Sequence, residues 1–388
     1  MLNFSYYNPC RLVFGRGAEN QVGDLVTQVV GRPARVLVIY GGGSVVRSGL
    51  LGRLETQLTQ AGHTVLARGG VQPNPLMSFV HQLMDELKDE PIDLVLAAGG
   101  GSVIDTAKAA AVGLKTQSDP WVYYAEGRQP TEALPVIAVL TLPAAGSEQS
   151  IRSVMTHNGV KTGIGAECIR PRVAIINPEL FMTLPMKQIG AGVVDMISHI
   201  MERYFSNTPH TAYTDAQAEA AMRTAMVFGL RLRNNPEDYD SWCQVAMVGT
   251  FAHNGYFGLG REEDWACHAI EHMLSGWNEE IVHGMGLAIV IPAWMRYVAL
   301  QKPKRFVQFA IRVMGVPAQE SETETISLGI AKLCAFYQNM GMPLTLSELG
   351  YTDVPVADLA QRCCARGPVG HLLPLAKEDV EVILNTCL

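Results

Sequence analysis

The stretch that decides the fold of this chain is DLVLAAGGGSVIDTAKAAAVG, residues 93–113. Residues 93–98 are mostly apolar, as in a strand that is buried on both faces, and a glycine-rich loop and a helical pattern follow. A strand that leads through glycines into a helix is the building unit of a parallel sheet covered by helices. The stretch therefore predicts an α/β domain.

The same unit recurs through the first half of the chain. Helical patterns follow the strands at residues 48–61 and 76–88, and residues 154–165 (VMTHNGVKTGIG) predict a hairpin with an Asn-Gly turn. Strands that alternate with helices indicate a parallel sheet, so we expect a Rossmann-like domain. The other predicted strands are residues 34–40, 63–67, 135–142 and 173–180.

The second half of the chain has a different pattern. After residue 186 no strand alternation is apparent, and long helical stretches dominate, for example residues 215–233 and 240–255. We therefore predict an α/β domain at residues 1–186 and an all-helical domain at residues 187–388.

Composition limits the classes of protein to which the chain can belong. Its 388 residues suggest two domains, and a net charge of −7 argues against nucleic acid as the main partner. The eight cysteines include no CxxC pair, as expected of reduced thiols. The first 15 residues lack a signal-peptide pattern, and the apolar run 285–298 contains Pro292 and is too short to span a membrane. We therefore expect a cytoplasmic protein without a membrane segment.

Two glycine loops, both GGGS, follow predicted strands at residues 41–44 and 99–102. Glycine lets backbone N–H groups approach phosphate oxygens, and the helix N-terminus adds partial positive charge. A tight turn needing positive φ is the alternative for one loop, but two loops in one sheet favour a dinucleotide. Neither loop has the GxGxxG pattern. Asp105 and Lys108, in the next helix, form either a surface ion pair or a ligand contact.

Histidines and a carboxylate in the helical half have the spacing of metal ligands. Asp195 and His199 lie four residues apart, as do His268 and His272, and His283 follows. Residues four apart occupy one face of a helix, so each pair can direct two donor atoms at one point. Nitrogen and oxygen donors from separate helices suit Zn²⁺ or Fe²⁺. Either pair in isolation is more often two buried histidines that make ordinary hydrogen bonds, and the rest of the chain favours the metal. These residues make 187–388 the predicted metal-binding, catalytic domain and the glycine loops make 1–186 the predicted dinucleotide-binding domain, so a cleft between the domains would bring a dinucleotide and a metal ion together.

With these motifs, the chain resembles the iron-containing (group III) alcohol dehydrogenase family over essentially its whole length. The YGGGS and DWACHAIEHMLS segments are most similar to the branch of NADPH-dependent butanol dehydrogenases and broad-range aldehyde reductases. The resemblance implies a dehydroquinate synthase-like architecture of two domains. The segments that carry it are FGRG (14–17), PNP (73–75), GGGSVIDTAK (99–108), TLPAAGSE (141–148), NPEL (177–180), TLP (183–185) and GLAIVIPAWM (286–295).

The resemblance also implies roles for individual residues. The metal ligands would be Asp195, His199, His268 and His283, and His272 would be a non-ligand histidine that relays a proton or orients the carbonyl. The remaining implied residues would bind the dinucleotide. They are Gly41, Gly42, Gly43 and Ser44 at the adenosine ribose, Gly99, Gly100, Gly101 and Ser102 at the pyrophosphate, Asp105 in the next helix, and Thr141, Leu142, Ser147, Lys161 and Thr183 around the nicotinamide.

The first loop favours NADPH over NADH. Relatives that are specific for NAD tend to have an aspartate there, which would repel a 2′-phosphate, whereas this chain has Gly42. The spacing from His268 to His283 is one residue longer than the pattern of the branch. The extra residue falls in SGWNEEIV, where Trp277 either lines the substrate pocket or serves as a structural residue.

These features predict a metal-dependent aldehyde reductase or alcohol dehydrogenase that transfers hydride between NADPH and small aldehydes or alcohols, with Fe²⁺ or Zn²⁺. The resemblance suggests a homodimer or a larger assembly, with the sheet edges as contacts. Two alternatives remain: a lyase or glycerol-dehydrogenase-like member of the same superfamily, and a non-catalytic sensor that binds nucleotide and metal.

Overall fold

The computed structural model describes residues 1–388, which form two compact units. The N-terminal unit is Tyr7–Thr183, and the C-terminal unit combines Met1–Tyr6 with Leu184–Leu388. None of the helices combines the length and apolar character needed to cross a bilayer.

The N-terminal unit contains a parallel sheet, as predicted, and the sheet has six strands. Its strands are β1 (Arg11–Phe14), β2 (Arg35–Tyr40), β3 (Thr64–Arg68), β4 (Leu94–Gly99), β5 (Val136–Leu140) and β8 (Val173–Ile176), in the order β1-β8-β5-β4-β2-β3. Every residue of β4, β5 and β8 is buried. That burial explains why these strands are continuous apolar runs rather than alternating ones.

Helices and a hairpin complete this unit. The predicted hairpin is β6 (Arg152–His157) with β7 (Val160–Gly165). Its turn places Asn158 and Gly159 at φ of 50° and 71°, the left-handed region that a two-residue hairpin loop of this type requires. The helices are α1 (Val22–Val30), α2 (Ser44–Arg47), α3 (Leu50–Gln60), α4 (Met77–Glu86), α5 (Gly101–Thr116) and α6 (Trp121–Glu126).

Strand β1 is the one strand of the sheet that the sequence did not predict. It has only four residues and a burial pattern without alternation, so it carries no periodic signal. Its register is fixed by parallel pairing with β8, more than 160 residues away in the chain, where Arg11 faces Val173. The pairing adds an outer strand to the sheet.

The C-terminal unit is helical, as predicted. The apolar run at residues 285–298 lies in α11, which is buried over most of its length and is therefore an interior helix. The helices are α7 (Met186–Tyr204), α8 (Ala212–Asn234), α9 (Tyr239–Ala252), α10 (Ala266–Trp277), α11 (His283–Ala299), α12 (Pro303–Arg312), α13 (Glu322–Asn339), α14 (Val356–Cys363) and α15 (Lys377–Thr386).

Candidate metal site and dinucleotide loops

Three helices of the C-terminal unit bring the predicted metal ligands together. Ligand atoms of Asp195 and His199 on α7 and of His268 on α10 lie within 4.8 Å of one another, and all three residues are buried. His283, the first residue of α11, places its Nε2 3.8 Å from Asp195 Oδ1. The four residues predicted from spacing and resemblance therefore form one cluster.

A glycine permits the close approach of α11 to α7 at this cluster. A Cβ atom on Gly284 would lie 2.1 Å from the backbone oxygen of Ala191, which no side chain can tolerate. Gly284 directly follows His283, and Ala191 lies one turn before Asp195. The absence of a side chain at Gly284 thus brings His283 to Asp195.

The Nδ1 atom of each clustered imidazole is bound by an acceptor. His268 Nδ1 donates to Glu202 Oε1 at 2.8 Å, and His283 Nδ1 donates to Glu271 Oε2. His199 Nδ1 donates to the backbone oxygen of Asp195 at 3.0 Å. These bonds leave each Nε2 atom available, which is the usual arrangement of histidines that bind a metal ion.

Two polar atoms of the cluster have no hydrogen-bond partner. They are Asp195 Oδ1 and His268 Nε2, both buried. Asp195 Oδ1 lies 3.1 Å from His199 Nδ1, but that nitrogen already donates to the backbone. A buried acceptor without a partner costs about 1 to 3 kcal/mol. A divalent cation would satisfy both atoms at once, so the donor set fits such an ion.

The electrostatics of the cluster favour the protonation states that ligate a metal. Burial alone would raise the pKa of Asp195, but His199, His283 and His268 hold it well below its usual range. Burial, together with the neighbouring His199 and His283, keeps the pKa of His268 well below the ordinary value. The carboxylate is therefore ionised and His268 is neutral near pH 7.

The carboxylates that anchor the imidazoles were missed at the sequence level. Burial raises the pKa of Glu202 to about 7, against the effect of the N–H groups of His268 and Trp265. Glu271 is fully buried and contacts His283. Each glutamate lies three residues after a clustered histidine on the same helix. That i,i+3 spacing was the signal that could have identified both.

His272 lies at the side of the cluster. It is half-buried on α10, and its ring centroid is 6.3 Å from that of His268 and 5.5 Å from that of His283. Trp277, at the end of α10, is also half-buried and packs edge-to-face on Tyr351 at 5.8 Å. His272 therefore adjoins the predicted ligands. Trp277 packs against Tyr351, and its role in the substrate pocket stays a prediction.

In the N-terminal unit, the predicted dinucleotide loops follow neighbouring strands. Residues 41–44 follow β2, residues 99–102 close β4 and open α5, and Thr141 and Leu142 follow β5. The chain runs outward from β2 to β3 and then returns to β4 on the other side of β2. The two GGGS loops therefore flank the point where the strand order reverses, which is where open α/β sheets bind ligands.

Close packing connects these loops to one another. A Cβ atom added to Gly41 would lie 3.5 Å from Val103 Cγ2 in α5, and one added to Gly100 would lie 3.1 Å from Cβ of Leu142, which follows β5. Of the other predicted residues, Lys161 on β7 donates to Asn74 Oδ1 at 3.0 Å, and Thr183 is the last residue of the unit.

The surface location considered for Asp105 and Lys108 is wrong. Lys108 is completely buried, although the ion pair exists, with Nζ 3.8 Å from Asp105 Oδ1. The pKa of Asp105 is raised and that of Lys108 is lowered, chiefly by burial. Asp105 accepts bonds from Ser147 Oγ and from the N–H of Val154. The pair thus holds the loop that contains Ser147.

The ammonium group of Lys108 lies within hydrogen-bond distance of four oxygens, three in that loop and one at the start of β6. Its Nζ lies 2.8 Å from Ser147 O, 2.7 Å from Ser147 Oγ, 3.1 Å from Ser150 O and 2.6 Å from Arg152 O. The i,i+3 spacing predicted the ion pair but not its burial, because the loop that covers Lys108 comes about 40 residues later.

Comparison with known proteins identifies the family. Residues 9–178 match the model described as iron-containing alcohol dehydrogenase, and residues 189–388 match the model of the C-terminal part of the same family. The chain belongs to the iron-containing alcohol dehydrogenase family. It is an alcohol dehydrogenase or aldehyde reductase that uses NAD(P)H. This assignment favours the oxidoreductase over the lyase and the sensor.

Individual members of the family are similar to the whole chain. A probable NADH-dependent butanol dehydrogenase 1 of Bacillus subtilis is 40% identical, with both chains covered completely. The NADPH-dependent aldehyde reductase YqhD of Escherichia coli is 34% identical over 93% of each chain. The crystal structure of NADH-dependent butanol dehydrogenase A from Thermotoga maritima has a TM-score of 0.95 and 35% identity, covering 100% of this chain and 99% of that one.

Proposed function

We propose that this enzyme is a metal-dependent aldehyde reductase and primary-alcohol dehydrogenase. Asp195, His199, His268 and His283 would hold one Fe²⁺ or Zn²⁺ ion, since a site of one carboxylate and three imidazoles without thiolate accepts either. The observation that carries the proposal is the pair of buried atoms without partners, Asp195 Oδ1 and His268 Nε2, inside a cluster whose Nδ1 atoms are already bound.

Reduction of an aldehyde requires a hydride at carbon and a proton at oxygen. When bound, NADPH supplies the hydride, and the metal ion stabilises negative charge on the substrate oxygen. We propose that His272 supplies the proton, directly or through a water molecule, because it adjoins the ligands His268 and His283 without being needed as a ligand. Burial of Asp195 and His268 keeps bulk water away from the charged centre.

The glycine loops would bind the cofactor. Residues 99–102 would hold the pyrophosphate at the N-terminus of α5, and residues 41–44 would face the adenosine ribose. Thr141, Leu142 and Ser147 would contact the nicotinamide half, together with Lys161 and Thr183. Asp105 would act on the cofactor through Ser147, because its carboxylate accepts a hydrogen bond from the Ser147 hydroxyl.

NADPH is proposed as the preferred cofactor because of the first loop. Gly42 is exposed, and no atom lies within 4 Å of the position of a Cβ there, so the loop offers space and no negative charge to a 2′-phosphate. Arg47 Nη1 comes within 3.1 Å of a Cβ position on Gly43, which adds positive charge to the loop. The names of the relatives include both NADH and NADPH, so the proposal depends on this chain's own loop.

Metal-stripped protein is the test of the proposed reaction. We expect loss of NADPH absorbance with short aldehydes such as butanal only after Fe²⁺ or Zn²⁺ is added back, because the substrate oxygen needs the cation. An enzyme that turned over aldehydes equally well without metal would contradict the proposal. Tight NADPH and metal binding without any turnover would favour the sensor.

Cofactor preference is tested by Gly42→Asp. A carboxylate beside the 2′-phosphate should cost about 2 kcal/mol, so the ratio of kcat/KM for NADPH to that for NADH should fall roughly 30-fold. Gly42→Asn is the matched control, because it adds almost the same volume without charge. A ratio that is unchanged in Gly42→Asp would place the 2′-phosphate elsewhere.

We also retain the homodimer and the cytoplasmic location as proposals. Strands β1 and β3 lie at the two edges of the sheet, where a second copy could pair. All eight cysteines are free thiols, as expected in a reducing compartment.

A further inference from the structure

Arg203, one turn after His199 on α7, is a buried cation beside the metal cluster. Its side chain is 4% exposed. Its Nη1 donates to the backbone oxygen of His199 at 2.7 Å and to that of Ala252 at 3.2 Å. The guanidinium therefore fixes the backbone at one of the proposed ligands and joins it to the end of α9.

Arg203 also binds His253, the residue that follows α9. Arg203 Nη2 lies 2.9 Å from His253 Nδ1. A guanidinium can only donate, so His253 Nδ1 accepts and the proton of the neutral ring is on Nε2. The orientation of the His253 ring is thereby fixed.

The fixed ring of His253 lies against His199. Their centroids are 4.3 Å apart, with an angle of 43° between the ring planes. Trp265 adds a further wall, since its ring is 5.4 Å from that of His253 and 6.0 Å from that of His199. The imidazole of His199 is thus supported on its ring as well as on its backbone.

The charge of Arg203 is compensated locally. Its Nε lies 3.1 Å from Glu263 Oε1, and Glu263 Oε2 accepts from Trp265 Nε1 at 2.7 Å. The guanidinium also lies over the Trp265 ring, 4.6 Å from its centroid. Because Glu263 balances the positive charge, the effect of Arg203 on a nearby cation is mainly geometric.

His199 differs from the other two imidazoles in its anchoring. His268 and His283 each donate Nδ1 to a glutamate, Glu202 or Glu271, that is not itself a proposed ligand. The Nδ1 atom of His199 contacts only Asp195, through its backbone oxygen and its carboxylate. His199 therefore has no glutamate anchor of its own, and the contacts of Arg203 and His253 give it additional support.

We propose that Arg203 and His253 are positioning residues that fix the His199 imidazole and so raise the affinity of the site for its metal ion. This inference rests on the proposed metal ligands. Partners that orient a ligand histidine typically contribute 10- to 100-fold in metal affinity. Neither residue needs to touch the metal ion or the substrate for this role.

The test compares Zn²⁺ dissociation constants, measured by chelator competition on metal-stripped protein. His253→Leu removes the acceptor for Arg203 and the ring that supports His199, so we expect the constant to rise about tenfold or more. His253→Asn retains an amide oxygen for Arg203 and should lose less. His371→Leu is the matched control, because His371 is an exposed histidine of the same unit. The Zn²⁺ dissociation constant of this variant should equal that of the unaltered protein.

A second readout reports the ligand geometry directly. The visible absorption spectrum of the Co²⁺-loaded protein should change in His253→Leu and stay unchanged in His371→Leu. If His253→Leu does not fold, Arg203→Lys carries the test. It keeps the charge but cannot reach both His199 and His253, so its Zn²⁺ dissociation constant should also rise about tenfold.

His268→Ala distinguishes a wrong positioning role from a wrong set of metal ligands. If it loses metal while His253→Leu and Arg203→Lys keep the affinity and the Co²⁺ spectrum of the unaltered protein, the positioning role is wrong and the ligand set stands. If His268→Ala keeps the metal, the ligand set itself is wrong.

Discussion

Replacing His268 with alanine is expected to remove the bound metal ion and to lower kcat/KM for aldehyde reduction roughly 10³-fold, or about 4 kcal/mol. The substitution deletes the buried Nε2 that has no protein partner and the Nδ1 that binds Glu202. Metal content measured by mass spectrometry and initial rates with NADPH would record both losses.

The affinity for NADPH distinguishes this loss from general unfolding. The proposed cofactor residues belong to the N-terminal unit, so fluorescence titration with NADPH should give nearly the same Kd in His268→Ala as in the unaltered enzyme. His371→Ala, an exposed histidine in the C-terminal unit, is the control for loss of an imidazole. Full metal content and full activity in His268→Ala would show that His268 is not a ligand.

Replacing Lys108 with methionine is expected to lower the free energy of unfolding of the N-terminal unit by about 3 to 5 kcal/mol. Methionine is similar in length but leaves Asp105 without its cation and the oxygens of Ser147, Ser150 and Arg152 without their donor. Chemical denaturation followed by circular dichroism would measure the change. Because Ser147 is a proposed nicotinamide contact, the Kd for NADPH should also rise, by roughly tenfold.

Lys115→Met is the matched control on the same helix. Lys115 is half exposed and pairs with Glu132 at 3.9 Å, so its loss should change stability by less than about 1 kcal/mol. Equal unfolding midpoints for Lys108→Met and Lys115→Met would contradict the structural role of Lys108.

The predictions from sequence succeeded where the signal is local. The glycine loop of residues 99–102 lies between β4 and α5, as its composition indicated, and the Asn158-Gly159 turn closes the predicted hairpin. They failed for β1, because a four-residue strand is defined by its pairing with β8 and not by its own pattern.

The sequence by itself determined the α/β and helical halves, the glycine loops and the histidine spacing, because each depends on residues within a few positions of one another. Only the tertiary structure decided which groups meet. Glu202 reaches His268 from α7, and Lys108 is buried by a loop about 40 residues later. The His253 ring packs on His199 and is held there by a hydrogen bond from Arg203, although 54 positions separate the two histidines in the chain. Such contacts follow from the packing of distant segments, which the pattern within one segment does not encode.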